Sequence, residues 1–217
     1  MQKLFLWNKV MGEQISMKYA SPEKDKYIEL KNLKIKYYEN FFDGNESSKH
    51  FDYLLDNIKW QTETVTVWGK KMQLKRQIAW YGDKGKSYTY SGITVNPLPW
   101  TKGLLEIKNK IEELTPTEFN SVLLNDYSSG KIGMGWHSDD EKELGRNPVI
   151  GSVSFGASRD FYLRHNTNKD IEELKLNLSD GSYLIMMGDT QHHWKHCIPK
   201  RMRIKERRIN LTFRRII

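Results

Sequence analysis

Cysteine is nearly absent: the 217 residues contain one, Cys197. A lone thiol builds neither a disulfide framework nor a cysteine-rich zinc site, and such usage fits a reducing intracellular setting, cytoplasmic or nuclear. Long apolar runs are missing as well. No stretch approaches the roughly 20 residues that span a bilayer, so no membrane association is expected. The opening MQKLFLWNKVMGEQ has a short apolar patch but no long hydrophobic region or small-residue cleavage site, and does not read as an export signal. Internal repeats and low-complexity segments are absent too, which leaves one domain with embellishments as the expected organisation. Acidic residues are in deficit, 27 against 35 Lys and Arg, for a net charge of +8. That balance permits a polyanionic partner, since neutralising phosphates releases counterions, but does not by itself identify one.

With 38% hydrophobic and 12% aromatic residues, the chain is rich enough to bury a core. Residues 1–32 show weak periodicity and read as an N-terminal extension. LKIKYYENFF (33–42) suggests a strand, and ESSKHFDYLLDNIKW (46–60) a helix with Phe51, Leu54, Leu55 and Ile58 on one face. TETVTVWGKKMQLKRQIAWYG (62–82) alternates around a Trp-Gly hairpin tip, and SYTYSG (87–92) is a short strand. PLPWTKGLLEIKNKIEELT (97–115) reads as a proline-led amphipathic helix. Beyond Phe119 the texture changes to short strands: FNSVLLNDY, IGSVSFG, RDFYLRH, EELKLNL, SYLIMMG and RRINLTFRRI. Two helices followed by many short strands imply an α+β fold whose C-terminal half is a sandwich or jelly roll.

GMGWHSDDEKELG (133–145) places His137 and Asp139 two apart, on one face if the chain is extended there. QHHWKHCIP (191–199) supplies three histidines; in an extended segment His192, Trp194 and His196 share a face and His193 points away. Two histidines and a carboxylate with open positions suit non-haem Fe(II), and the same donors suit a zinc hydrolase. Taken alone, the first stretch reads more simply as a solvated acidic turn. RRINLTFRR (207–215) carries Arg208, Asn210, Thr212 and Arg214 on one strand face. Inside a β domain two such guanidiniums call for an anion, and a dicarboxylic acid would match them; on an outer face they would simply be solvated. Asn125 and Tyr127 in NDY form a similar same-face pair.

Taken together, NDY, WHSDDE, SVSFGASRDF, RH, GSYLIMMG, HWKHCIPK and RRINLTFRR resemble the AlkB family of Fe(II)- and 2-oxoglutarate-dependent nucleic-acid dealkylases, most closely its duplex-DNA-preferring branch, over residues 60–217. The resemblance implies a double-stranded β-helix (jelly-roll) core with helices packed on one side and an N-terminal nucleotide-recognition lid. The corresponding division is an extension at 1–32, lid and supporting helix at 33–100, and catalytic jelly roll at 101–217. It implies that His137, Asp139 and His196 hold Fe(II), the pattern W-x-H-x-x-P selecting His196 over His192. By the same resemblance Asn125, Tyr127, Arg208, Asn210, Thr212 and Arg214 hold 2-oxoglutarate.

The implied chemistry converts 2-oxoglutarate and O₂ to succinate and CO₂ while an N-methyl group of a base is hydroxylated and then lost as formaldehyde. The base must first be flipped from the stack. Trp68, with Gly69 and Lys70, matches an aromatic finger that fills the gap; an ordinary core tryptophan is the alternative. Tyr88, Thr89 and Tyr90 match the base pocket, and Asp140 and Glu141 match base-contacting positions that could otherwise be a solvated loop. KRMRIKERR (200–208) supplies cations for phosphates, whereas NTNKDIEEL (166–174) is short and acidic where duplex-preferring members carry a basic loop. Cys197 is read as packing. The expected partner is therefore nucleic acid, DNA in duplex or single-stranded form, handled by a monomer that repairs 1-methyladenine- and 3-methylcytosine-type lesions. RNA demethylation by the same chemistry and a non-catalytic nucleic-acid-binding jelly roll are the alternatives.

Overall fold

Strand β15 (Arg208–Arg214) shows how the molecule is layered, because every one of its residues is buried. Its odd-numbered side chains Ile209, Leu211 and Phe213 enter one apolar cluster, while its even-numbered, polar side chains face the opposite layer. A strand buried on both faces must lie between two packed layers.

The structure is a computed structural model that describes residues 16–18, 25–67, 70–86, 88–90 and 93–217. Ahead of β15, the main sheet draws on β1 (Ser16–Lys18), β2 (Asp25–Leu30), β3 (Leu33–Tyr38), β4 (Gln61–Val67) and β5 (Lys70–Gly82). Strands β6 (Tyr88–Tyr90) and β7 (Ile93–Val95) make a separate small hairpin, and β8 (Ser121–Tyr127) returns to the main sheet. The remaining strands are β9 (Met134–His137), β10 (Ile150–Gly156), β11 (Arg159–His165), β12 (Leu174–Leu178), β13 (Ser182–Met187) and β14 (Trp194–Ile198). Nine strands form the main sheet in the order β1-β2-β3-β13-β10-β15-β8-β5-β4, and β12-β11-β14-β9 form the second. In the middle of the main sheet, β13-β10-β15-β8-β5, neighbours come from non-consecutive parts of the chain and pair antiparallel, as in a jelly roll.

Both long helices, α1 (Gly44–Asn57) and α2 (Lys102–Glu112), cover the outer face of the main sheet. There Leu54, Leu104, Ile107 and Ile111 pack on Val122, Leu124, Val153, Phe155, Ile185 and the odd face of β15. Each fully buried side chain of this kind contributes roughly 1.5–3 kcal/mol. A second cluster fills the space between the sheets, with Ile35, Tyr37, Ile150, Leu163, Leu176, Leu184 and Trp194.

Helix α1 starts two residues before the expected Glu46, because Asp43 accepts from the Asn45 and Glu46 amides while Glu46 reaches back to the Asp43 amide, closing a capping box. Helix α2 is shorter than the expected 97–115. Leu98 is held extended against β5, its amide donating to the Trp80 carbonyl at 2.9 Å, and Thr101 caps the helix instead. The N-terminal side also departs from expectation. The boundary placed between residues 32 and 33 falls in the turn of the β2–β3 hairpin, where Asn32 takes φ of 56°, so residues 25–30 extend the main sheet. Of the segment 191–199, weighed as extended, the first three residues belong to a short helix α3 (Thr190–His193).

Candidate active site

The inward face of β15 builds one end of a cavity between the sheets. Register sets Arg208 opposite Tyr127 and Asn210 opposite Asn125 on β8, while on the other side Thr212 faces Ser152 of β10. Asn210 donates through Nδ2 to the Ser152 hydroxyl and the Val153 carbonyl, both at 2.9 Å, and accepts from Thr212 Oγ1 at 3.2 Å. Arg208 is 1% exposed, so the solvated outer-face alternative fails for this row. Its Nη2 donates to Ser154 Oγ at 2.9 Å, while Nε and Nη1 have no hydrogen-bond partner among the described residues. Burial pushes the Arg208 guanidinium down to about 10 despite the opposing influence of Tyr127. A buried cation with two idle donors has its desolvation cost left uncompensated, and a carboxylate is the group that would offset it.

The other end of the cavity holds the histidines and the aspartate. His137 closes β9 and pairs directly with His196 of β14, their ring centroids 4.3 Å apart; Asp139 follows two residues later. One donor atom from each of His137, Asp139 and His196 lies within 4.8 Å of the others. His137 Nδ1 sits 2.8 Å from the Gly135 carbonyl. If Nδ1 carries the proton and donates there, Nε2 is left with its lone pair for a metal. Asp139 is fixed twice, its amide donating to Gln191 Oε1 at 2.9 Å and its Oδ1 accepting from Arg214 Nη2 at 2.5 Å. Its Oδ2 is 3.9 Å from His196 Nε2. Burial works to raise the Asp139 carboxyl, but the charge of Arg214, the two histidines and the Arg214 hydrogen bond outweigh it and hold the group below the usual range. Burial, aided by His137, depresses His196 to about 3, so it is a neutral imidazole, the form that binds metals. The donor set and its environment fit a divalent cation.

His192 is not in this group. In the helical turn α3 it faces outward, its Nε2 accepting from the Asn147 amide at 3.3 Å, whereas His196 is buried against Phe161. The expectation that His192, Trp194 and His196 share one extended face fails because the strand begins only at Trp194.

His137, Asp139, His196, Asn125, Tyr127, Arg208, Asn210, Thr212 and Arg214 all line this one cavity, together with apolar Leu123, Met134, Phe161 and Ile198. Its volume of about 50 Å³ exceeds the roughly 10–15 Å³ that one water needs. Asp140, next after Asp139, is exposed; Glu141 is half-buried, with an Oε2 that has no hydrogen-bond partner among the described residues. Trp68 and Gly69 lie outside the described residues, and for Lys70, Tyr88, Thr89 and Tyr90 only the backbone is described, in β5 and β6.

Two residues that the sequence did not flag belong to the site. Arg76 of β5 is buried and donates through Nε to Asn125 Oδ1 at 2.9 Å, and Gln191 anchors Asp139. In the basic segment, Arg201 is already engaged by Asp160 and Tyr162, both at 2.5 Å, and Arg207 lies 3.3 Å from Asp126. Lys200, Arg203 and Lys205 remain as its exposed cations without an ion pair among the described residues. Cys197 is buried on the strand face opposite His196.

Comparison with known proteins adds an independent observation. Residues 34–214 match the model of the 2OG-Fe(II) oxygenase superfamily. The chain is 40% identical over 189 residues to the mouse DNA oxidative demethylase ALKBH2, covering 83% of this chain and 79% of that protein. It is 44% identical over 184 residues to the bovine alpha-ketoglutarate-dependent dioxygenase alkB homolog 3, covering 81% of this chain and 64% of that protein. Among solved structures OsALKBH1 superposes with a TM-score of 0.56 at 16% identity, covering 83% of this chain and 97% of that one, a likeness of fold.

Proposed function

The chain belongs to the AlkB family of 2OG-Fe(II) oxygenases, and we propose that it is an oxidative demethylase that repairs N-methylated bases in DNA. It is an Fe(II)- and 2-oxoglutarate-dependent dioxygenase. The observation that carries the substrate assignment is the conjunction of a buried His-Asp-His cluster and an inward arginine row in one cavity, in a chain similar to a named DNA demethylase.

In this proposal His137, Asp139 and His196 hold the iron, and Arg208, Asn210, Thr212, Arg214, Asn125 and Tyr127 hold 2-oxoglutarate. Iron with its cosubstrate and O₂ supplies the oxidation that inserts one oxygen atom into a methyl C–H bond, the other oxygen leaving in succinate. The chain's own work is positional. Arg208, whose Nε and Nη1 have no partner among the described residues, would receive one carboxylate of the cosubstrate at the Tyr127 end. Arg214 steadies Asp139 at the other end, and the apolar side chains between them limit water. Asp140 and Glu141, the two residues that follow Asp139, would face the flipped base; a carboxylate there favours the positive charge that a ring-nitrogen methyl creates. Trp68, Gly69, Lys70, Tyr88, Thr89 and Tyr90 would form the finger and the base pocket. Lys200, Arg203 and Lys205 would meet phosphates.

The test incubates the protein with a 1-methyladenine or 3-methylcytosine oligonucleotide, Fe(II), ascorbate and 2-oxoglutarate. Demethylated base, formaldehyde and succinate in equal amounts are expected. Succinate release without demethylation would remove the DNA assignment and keep the oxygenase. Parallel ribo- and deoxyribo-oligonucleotides with the same lesion decide between DNA and RNA, and duplex against single strand decides the preferred form.

A further inference from the structure

Arg159 is a second buried guanidinium that none of the site assignments uses. It opens β11, is 1% exposed and does not line the cavity. Its Nη2 donates to two carbonyls from separate loops, Ile132 at 2.8 Å and Pro199 at 2.9 Å. Its guanidinium carbon lies 5.8 Å from the centroid of the Tyr127 ring, and that of Arg208 lies 5.4 Å from the same centroid. Nε and Nη1 of Arg159, like those of Arg208, have no hydrogen-bond partner among the described residues. Two buried cations thus share one phenol ring, and the charge of Arg159 adds to burial in disfavouring the charged form of Arg208. An arrangement with two like charges so close to one ring is unfavourable until an anion arrives.

We propose that Arg159 is a positioning residue for 2-oxoglutarate, acting through Tyr127 and tying the cosubstrate end of the cavity to the basic loop that starts at Pro199. The proposal rests on the assignment of Arg208 and Tyr127 to the cosubstrate. Arg159 holds the Tyr127 ring by a cation–π contact and adds positive potential behind Arg208, so a carboxylate entering there would meet a fixed phenol and the Arg208 guanidinium, with the second cation behind them. Through the Pro199 carbonyl the same side chain braces residues 200–204. That loop is also pinned to Gly130: the Arg201 amide donates to the Gly130 carbonyl at 2.6 Å and the Gly130 amide to the Ile204 carbonyl at 3.0 Å. A Cβ at Gly130 would strike the Arg201 carbonyl, so the loop can sit this close only over glycine.

The experiment measures thermal stabilisation by 2-oxoglutarate in the Mn(II)-loaded full-length protein without O₂, where no turnover occurs. Arg159→Met should weaken cosubstrate binding about tenfold, the loss expected from one buried cation–π contact and its charge. Stabilisation by Mn(II) alone should match the wild type. In turnover, KM for 2-oxoglutarate should rise with kcat at saturation unchanged, and trypsin should cut at 200–205 faster in the presence of 2-oxoglutarate than it does in the wild type. Arg159→Lys, which keeps the charge but not the planar fork, should fall between the two. An unchanged 2-oxoglutarate midpoint in Arg159→Met overturns the proposal. If that variant does not fold, an unchanged midpoint in Arg159→Lys overturns it equally. Absence of any 2-oxoglutarate stabilisation in the wild type would instead refute the cosubstrate assignment on which the proposal stands.

Discussion

Arg214 and Asp139 form the most deeply buried ion pair at the site, 8% and 3% exposed, with Nη2 and Oδ1 2.5 Å apart. Arg214→Met keeps the volume of the side chain and removes its charge. The Asp139 carboxylate then stays buried without its guanidinium, which costs about 3–5 kcal/mol when one member of such a pair is removed. For a chain of this length each kcal/mol moves the melting temperature by roughly 2–4 °C, so the metal-free variant should melt about 10 °C below the wild type. The companion is the double variant Asp139→Asn, Arg214→Met, in which no charge is stranded. It should recover a substantial part of that loss, giving a coupling energy of about 2 kcal/mol in a double-mutant cycle. Mn(II) should raise the melting temperature of Arg214→Met more than that of the wild type, because a cation beside Asp139 replaces the lost guanidinium. Differential scanning fluorimetry with and without Mn(II) reads all of these. A metal-free Arg214→Met that melts within about 2 °C of the wild type, or a double variant no more stable than the single, would refute the claim that this pair offsets a buried charge.

His196→Ala should abolish turnover and tight Mn(II) binding, whereas His192→Ala, altering an outward-facing side chain, should leave both within about twofold of the wild type; the reverse pattern would mean the metal is held elsewhere. Arg208→Met should raise the 2-oxoglutarate KM by about 10–100-fold, the worth of one or two charge-assisted hydrogen bonds, as read by initial rates across cosubstrate concentrations. His50, packed edge-on against Phe42, is pushed by burial below its ordinary value. The unfolded chain therefore takes up that proton first, and the contribution is complete above about pH 6.5 and lost as pH falls below it. Urea midpoints between pH 7.5 and 5.5 should fall less steeply in His50→Met than in the wild type, and parallel slopes would exclude His50 as the cause.

The site was legible where sequence pattern and burial coincide. In β15 the alternation of Arg208, Asn210, Thr212 and Arg214 with Ile209, Leu211 and Phe213 is visible because the two faces meet chemically different layers. Strands β10 and β11 could be read to the residue, since turn signals bound both of them. Arg76 and Gln191 escaped notice because their meaning lies in partners 49 and 52 residues away, and nothing local marks either one. The four residues of α3 are too few to show a period, so nothing in 191–193 argued against an extended segment. Strand β2 escaped for another reason. Near the sheet edge only Ile28 of its six residues is buried, which leaves almost no alternation to detect.

The charges lining the cavity explain why the two ends were hard to judge separately. Arg208 and Arg214 against Asp139 leave one net positive charge when the histidines are neutral, as metal ligands must be. A divalent cation alone raises that imbalance, and a dicarboxylate alone reverses its sign. The pair together leaves it as it began. Each should therefore bind more tightly in the presence of the other, by the same factor in both directions, because coupling between equilibrium affinities is reciprocal. Arg214 is the physical link, since it neutralises Asp139 and stands on the strand that bears Arg208. Titrating Mn(II) with and without 2-oxoglutarate, and 2-oxoglutarate with and without Mn(II), closes the cycle. Equal factors well above one are expected in the wild type. Factors near one would mean that the two ends of the cavity act as separate sites, and the shared-charge argument would fall.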